Sequence, residues 1–417
     1  DFASEVACVP YDVVNTAEAR ELAAGKPRSF MHVIRSEIDL PVSTNPYDDA
    51  VYEKAVENYE SFKRDGTLVH EKAPSIYIYR LKTTLLGKPV VQTGVAACCS
   101  IDDYTFSTNG ATTSGGGAGA PHGHDLIKKH ETTRKDKEDD RTRHVLDMKA
   151  NAEPVFLMYR DDAGLAALMN EAIKAAPLYD FTARDGVTHT IWRVADPQPF
   201  VHAFQAVPHC YVADGHHRTA SAARAGARLR AENPGHTGAE EYNWFLSVLF
   251  PASELTILPY HRTVADLNSL TPGAFVEKLR AVGRVSEKTG PNPSSSGSFN
   301  VYVAGNWYAV SFAPESIDRA DPVASLDCEL LSQRVLAPIL GINDLRTDKR
   351  IDFVGGIRGT NELKKRVDSG QAAAAFSMYP TTIPQLIAVA DAGRIMPPKS
   401  TWFEPKLRSG LLIHELN

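Results

Sequence analysis

The sequence predicts a soluble mixed α+β protein whose C-terminal part alternates strands and helices. Three observations carry this. A length of 417 residues with 43% hydrophobic and 23% charged side chains is that of a globular chain with a large core. Short apolar runs rich in Val, Ile, Tyr and Phe recur between polar turns, as strands do. Alanine- and leucine-rich segments with caps separate many of them.

The first part, 1–120, reads as an α+β region. Asn15 with Glu18 forms a capping box for a helix to about Gly25. Residues 29–34 read as a strand, and Asn45-Pro46 starts a helix whose stripe (Tyr52, Val56, Tyr59) runs to about Arg64. Residues 75–81 and 90–96 read as strands joined around Gly87. The run 109–120 is glycine-rich and reads as a flexible insertion, without the GxxxxGK[ST] pattern of a phosphate loop.

The middle part, 121–266, holds the residues with chemistry. Residues 128–144 carry seven Lys/Arg and five Asp/Glu. The portion 135–143 predicts a solvated helix laced with i,i+4 ion pairs. The portion before it, Lys128-Lys129-His130-Glu131, sets cations beside a carboxylate after the apolar pair Leu126-Ile127. Residues 153–159 and 186–194 predict strands, with a helix over 163–176 between them. A buried strand at 210–213 then leads into Asp214-Gly215-His216-His217-Arg218 and an alanine-rich helix opening at Thr219. Strands at 242–250 and 255–262 follow.

The last part, 267–417, predicts a helix at 273–282, strands at 299–303 and 307–312, a long helix at 323–336, and then strand, helix, strand and helix to about residue 392. The tail 396–411 is rich in proline and holds Lys399, Ser400, Lys406 and Arg408, which are able to reach an anion if the tail packs back.

The net charge of −6 argues against a general nucleic-acid binder. No apolar run reaches the roughly 18 residues of a membrane span. Five cysteines without CxxC spacing fit a reducing, cytoplasmic setting better than a disulfide framework or structural zinc. The chain opens on Asp1 rather than Met, without a basic and apolar signal pattern. Monomer and homodimer stay equally open.

A strand, a glycine turn and a helix N-terminus suit an anion, because unpaired N–H groups and a partial positive charge meet there. Two segments then form the jaws of a phosphoryl-handling site. Gly215, His216, His217, Arg218 and Thr219 are the phosphate-binding candidates of one jaw, and Lys128, Lys129, His130 and Arg134 those of the other. Arg218 can hold a phosphate with two parallel hydrogen bonds. Asp214 and Glu131 are the candidates to take a hydroxyl proton, Asp214 is the tentative metal ligand, and His217 completes the catalytic set. A zinc hydrolase fits less well, since Asp-x-His-His lacks the i,i+4 helical histidine pair.

With these segments assembled, the chain resembles the bacterial family that includes pyrophosphate-dependent L-serine kinases. The resemblance rests on Pro10-Tyr11-Asp12-Val13, Lys128-Lys129-His130-Glu131-x-Thr133, Asp139-Asp140-Arg141-x-Arg143-His144, Ala213 to Arg218, and Met396 to Lys406. The glycine-rich run at 109–120 departs from the family pattern. The Asp-Gly-His-His-Arg turn also resembles the phosphate-binding turn of the ParB/sulfiredoxin-like fold. The resemblance implies a ParB/sulfiredoxin-like catalytic core and transfer of a phosphoryl group from pyrophosphate to the hydroxyl of free L-serine. Its products are O-phospho-L-serine, a compound of serine and cysteine metabolism, and phosphate. It also implies Mg²⁺ as cofactor. An ADP- or ATP-dependent small-molecule kinase and a non-catalytic nucleotide-binding regulator are the alternatives.

Overall fold

The computed structural model describes residues 2–104, 107–108, 111–112, 125–287 and 289–416. The chain divides by its packing into two compact units. The first comprises Asp1–Lys128, Thr133–Leu255 and Pro405–Asn417, and the second Lys129–Thr132 and Thr256–Glu404. Both mix helices with sheets, so the fold is α+β. Among the described residues, no helix is long and apolar enough to cross a membrane. Cys8, Cys98, Cys99, Cys210 and Cys328 are thiols.

The first unit is built on an eight-stranded mixed sheet. Its strands are β1 (Tyr77–Leu85), β2 (Lys88–Ser100), β3 (Ile127–Lys128), β4 (Val155–Tyr159), β5 (Tyr179–Thr182), β6 (Thr188–Arg193), β7 (Cys210–Asp214) and β8 (Trp244–Pro251). Their order is β3-β7-β4-β8-β2-β1-β6-β5. The β1–β2 hairpin closes through Leu86 and Gly87, both at positive φ (50° and 79°), as a two-residue turn matched to strand twist requires. β7 runs parallel to β3 and antiparallel to β4. Lys128 and Asp214 therefore lie toward the same edge of the sheet, where the carboxyl ends of β3 and β7 emerge. Open sheets of this kind take ligands at such ends.

Five longer helices complete this unit: α1 (Thr16–Ala23), α2 (Asp49–Arg64), α3 (Lys135–Met148), α4 (Ala163–Ala172) and α5 (His216–Glu232). The capping box of α1 forms as Asn15 and Glu18 predict. The strand expected at 29–34 is instead a short helix, Met31–Ile34, followed by a 3₁₀ turn. Phe30, Met31, Val33 and Ile34 are all buried, so the run lacks the alternation of a half-buried strand, and a short apolar run does not by itself separate the two states. α2 begins at Asp49 rather than at Asn45, whose side chain closes a preceding turn on Tyr47 N. Of the glycine-rich run, Ala111–Thr112 pairs with Ser107–Thr108, and the rest lies outside the described residues.

The second unit carries a six-stranded sheet of β9 (Tyr260–Val264), β10 (Arg284–Glu287), β11 (Ser298–Val303), β12 (Asn306–Ser311), β13 (Ile351–Gly355) and β14 (Ala374–Met378). The order is β10-β12-β11-β14-β9-β13. Its core includes Phe275, Phe299, Leu331, Leu336 and Phe376. The single strand expected at 255–262 is split at Pro259, which has no N–H to give a ladder: Thr256–Leu258 pairs with Trp402–Glu404, and β9 joins the large sheet. The long helix expected at 323–336 is a short α-helix, Asp327–Leu331, that continues as a π-turn through Ser332–Leu336.

Candidate functional site

The turn between β7 and α5 is shaped by Gly215. Its φ is 94°, and a Cβ there would sit 3.0 Å from the Arg218 guanidinium, so both backbone and space select glycine. A bulge in the β7–β4 ladder at Val212/Asp214 shifts Asp214 opposite Phe156 and brings it beside the start of β4. Asp214 Oδ1 accepts the Gly215 N–H at 3.0 Å. Oδ2 accepts from Lys406 Nζ at 2.9 Å and lies 3.8 Å from Arg218 Nη2. Burial pushes this carboxyl up, but Lys406 and Arg218 outweigh it and hold the group well below the usual carboxylate range.

Arg218 is turned inward. It donates from Nη1 to the Pro154 carbonyl, and the carboxylates of Asp12, Asp214 and Glu153 outweigh the burial that disfavours its charge. One prong of its fork, Nη1, is thus engaged inside the unit, and Nη2 faces Asp214 at 3.8 Å. Thr219 is also committed: it is fully buried, and its N–H and hydroxyl both donate to Gly215 O, at 2.9 and 3.1 Å. His216, the first helical residue, is buried.

His217 is half-buried and its Nε2 accepts the Arg134 N–H at 3.0 Å, which places its ring proton on Nδ1. This bond joins the two sequence segments within the first unit, 83 residues apart. Lys128 reaches the same region through β3, in register with Tyr211 of β7. The Arg134 side chain is exposed and pairs with Asp136 at 2.7 Å. Lys129, His130 and Glu131 pack instead with the second unit, where the His130 carbonyl accepts Met396 N–H at 2.9 Å.

α3 is not the solvated helix its charge predicts. Lys135–Asp139 and Arg143–Asp147 form surface i,i+4 pairs, yet Asp140, Arg141 and His144 are buried. Asp140 accepts from Arg141 Nε at 2.9 Å and from Tyr52 Oη at 2.7 Å. The Arg141 guanidinium lies over the Tyr11 ring, 4.4 Å from its centroid. Glu153 is a further residue that pattern reading misses. It is buried, accepts from Tyr11 N–H (3.1 Å) and Ser409 Oγ (2.9 Å), and is raised by burial more than Arg218 and Arg141 lower it. Its only sequence signal is a carboxylate immediately before Pro154 and a wholly apolar strand. Arg141 Nη1 and Arg218 Nε, buried donors without a protein acceptor among the described residues, belong to side chains lining a cavity of about 30 Å³ beside Glu153.

The tail supplies Lys406. Cys8 and Ser409 exchange backbone hydrogen bonds, Arg408 N donates to Tyr79 Oη at 3.2 Å, and the Arg408 side chain pairs with Asp185. Chemically, this edge of the first unit joins a helix N-terminus, a half-buried carboxylate with two cations, and a half-buried neutral histidine.

The model of the family described as "Protein of unknown function (DUF1015)" matches residues 1–329, and the chain belongs to that family. No curated protein matches the sequence. Among solved structures, the chain is similar to a conserved hypothetical protein from Pyrococcus furiosus, with 13% identity, a TM-score of 0.35, and coverage of 69% of this chain and 93% of the other. It is similar to a free serine kinase in complex with AMP, with 12% identity, a TM-score of 0.36, and coverage of 70% and 91%. It is also similar to SbnI with C-terminal truncation from Staphylococcus aureus, with 11% identity, a TM-score of 0.37, and coverage of 76% and 87%.

Proposed function

We propose that this member of the DUF1015 family is a phosphotransferase that moves a phosphoryl group from pyrophosphate to the hydroxyl of free L-serine, on a ParB/sulfiredoxin-like core. The observation that carries the reading is the Asp214–Gly215 turn at the N-terminus of α5, where Lys406 and Arg218 hold a carboxylate ionised and His217 is bonded to Arg134 N–H. The motif resemblance supplies the substrates.

In this reading the α5 N-terminus and Lys128 attract the donor phosphates. Asp214 is held too far below neutrality to be an effective proton acceptor, since a good general base titrates near the working pH. A half-buried, ionised carboxylate does fit Mg²⁺, which binds one or two carboxylates together with substrate phosphates. Bound there, Mg²⁺ would neutralise charge on the phosphates. The sequence offers Glu131 for the serine hydroxyl proton, which leaves as the oxygen attacks phosphorus and the P–O bond to the departing phosphate breaks. His217, neutral and fixed by Arg134, positions the entering phosphate. No nucleic acid or membrane enters this scheme.

The test is a donor-by-acceptor screen with Mg²⁺, following O-phosphoserine by ³¹P NMR. Pyrophosphate with L-serine is expected to give product. Product with ADP or ATP alone would replace the donor assignment, and no product with any donor would overturn the kinase reading.

A further inference from the structure

We infer that Glu153 is a positioning residue for the Asp214 turn, tying the tail that carries Lys406 and the segment that carries Asp12 to the point where Arg218 is anchored. This deepens the phosphoryl-transfer reading and rests on it. One oxygen makes the tie. Glu153 Oε1 accepts the Tyr11 N–H at 3.1 Å and the Ser409 hydroxyl at 2.9 Å, from partners 142 and 256 residues away. Those partners belong to adjoining segments, because Cys8 and Ser409 exchange backbone hydrogen bonds. The next residue, Pro154, gives its carbonyl to Arg218 Nη1. Glu153-Pro154 therefore meets the N-terminal segment, the tail and α5 together. Lys406, three residues before Ser409, bonds Asp214 at 2.9 Å, and Asp12, next to Tyr11, acts on the Arg218 charge.

A carboxyl group in this place is costly. Glu153 is 7% exposed, and burial works against its charge more strongly than Arg218 and Arg141 support it. Packing alone is served as well by an apolar side chain of similar volume. What such a side chain lacks is an acceptor for two donors from opposite ends of the chain. Without Oε1, the Tyr11 N–H and the Ser409 hydroxyl lose their partner in a buried place, and leaving such donors unmatched is unfavourable enough to shift the segments that carry them. The strand pairing of the tail beside Ser409 is a single isolated bridge to Cys8, which resists such a shift weakly. Lys406, with a side chain only 13% exposed, is then drawn off its setting on Asp214. A misplacement on the order of 1 Å around a reacting group is enough to lower a rate about a hundredfold. The tie uses the acceptor rather than the charge, so an amide can stand in for the carboxyl group.

The test uses the full chain and reads the acetylation rate of Lys406 with acetic anhydride by peptide mass spectrometry, after circular dichroism shows each variant folded. Glu153→Leu is expected to speed labelling of Lys406 about tenfold, the scale of losing one hydrogen bond to a charged group. Glu153→Gln, which keeps the acceptor, should label at the wild-type rate. Lys54 on α2, paired with Glu57, is the internal control and should not change. Ser409→Ala removes one arm of the tie without touching the buried position, so it decides the matter if Glu153→Leu does not fold. It should speed Lys406 in the same direction, and the double variant should label no faster than Glu153→Leu. In turnover, Glu153→Leu should lose about a hundredfold in kcat with a smaller change in KM for pyrophosphate, and Glu153→Gln should recover most of that loss. The inference is overturned if folded Glu153→Leu and Ser409→Ala leave Lys406 labelling unchanged, if Lys54 speeds up equally, or if Glu153→Gln behaves as Glu153→Leu does. A wild type that phosphorylates no serine while its variants label in this pattern sinks the substrate assignment and leaves the tie standing.

Discussion

Arg218 and Arg262 are buried guanidinium groups, one in each unit, and their charges are met in opposite ways. Arg218 is surrounded by carboxylates: Asp12, Asp214 (at 3.8 Å) and Glu153 all act on its charge. These raise its pKa despite burial. Among the described residues, no carboxylate pairs with Arg262. It donates to the carbonyls of Tyr260 and Lys399 and lies over the Phe353 ring, 5.4 Å from the centroid, and burial lowers its pKa. Backbone carbonyls are fixed partners, so Arg262 pins the loop at Lys399, whose φ is 59°. Carboxylates can exchange a cation for another cation. In the proposed reading the first arrangement serves a site that handles charge, and the second serves architecture.

The sharpest way to break this comparison is Asp214→Asn. It should lower O-phosphoserine formation on the order of a thousandfold in folded protein, the scale of losing a central electrostatic group. Arg262→Met should leave the rate per folded molecule near wild type. Equal activity losses in the two variants would erase the distinction.

Stability should separate the arginines in the same sense. Arg218→Met leaves the buried Glu153 and the half-buried Asp214 without this cation and should cost about 3–5 kcal/mol in urea unfolding. Arg262→Met gives up two carbonyl hydrogen bonds but also removes an uncompensated charge, so about 1–2 kcal/mol is expected. A larger loss for Arg262→Met would reverse the assignment of roles.

Acid should act on a buried histidine in each unit. His144 donates Nε2–H to Val33 O, and burial lowers its pKa to about 3. His261 Nδ1 accepts Met378 N–H, and burial lowers its pKa to about 4. For both, stability is complete above the unfolded value of 6.5. It falls as pH drops below that value, because the unfolded chain takes up a proton the folded one refuses. The loss runs to about 3 for His144 and ends near 4 for His261. Amide exchange between pH 7 and 3.5 should show His144→Gln flattening the decline of the first unit more than His261→Gln flattens that of the second. An effect as small as that of Arg262→Met is expected from Gly215→Ala, about 1–2 kcal/mol from forcing a side chain into positive φ against Arg218, read by thermal unfolding.

What was legible in the sequence follows the range of the forces involved. The Asn15–Glu18 capping box, the β1–β2 hairpin and the strand–glycine–helix passage at 210–232 depend on neighbours in the chain, and each appears where its residues predict. Residues 29–34 carry no helical signature in sequence because burial around Phe30, Met31, Val33 and Ile34 erases periodicity. The burial of Arg141 leaves no mark in sequence, because a charge on a helix looks the same whether water or a Tyr11 ring and Asp140 receive it.

By itself, the sequence determined the Asp-Gly-His-His-Arg turn, since a positive-φ glycine between an apolar strand and an alanine-rich helix is a local backbone requirement. Only the tertiary structure decided what that turn confronts. Lys406 meets Asp214 across 192 residues, Glu153 meets Ser409 across 256, and Arg134 meets His217 across 83. Pairings at such separations depend on the packing of the whole unit, because charge attracts by distance in space and carries no trace of its partner along the chain.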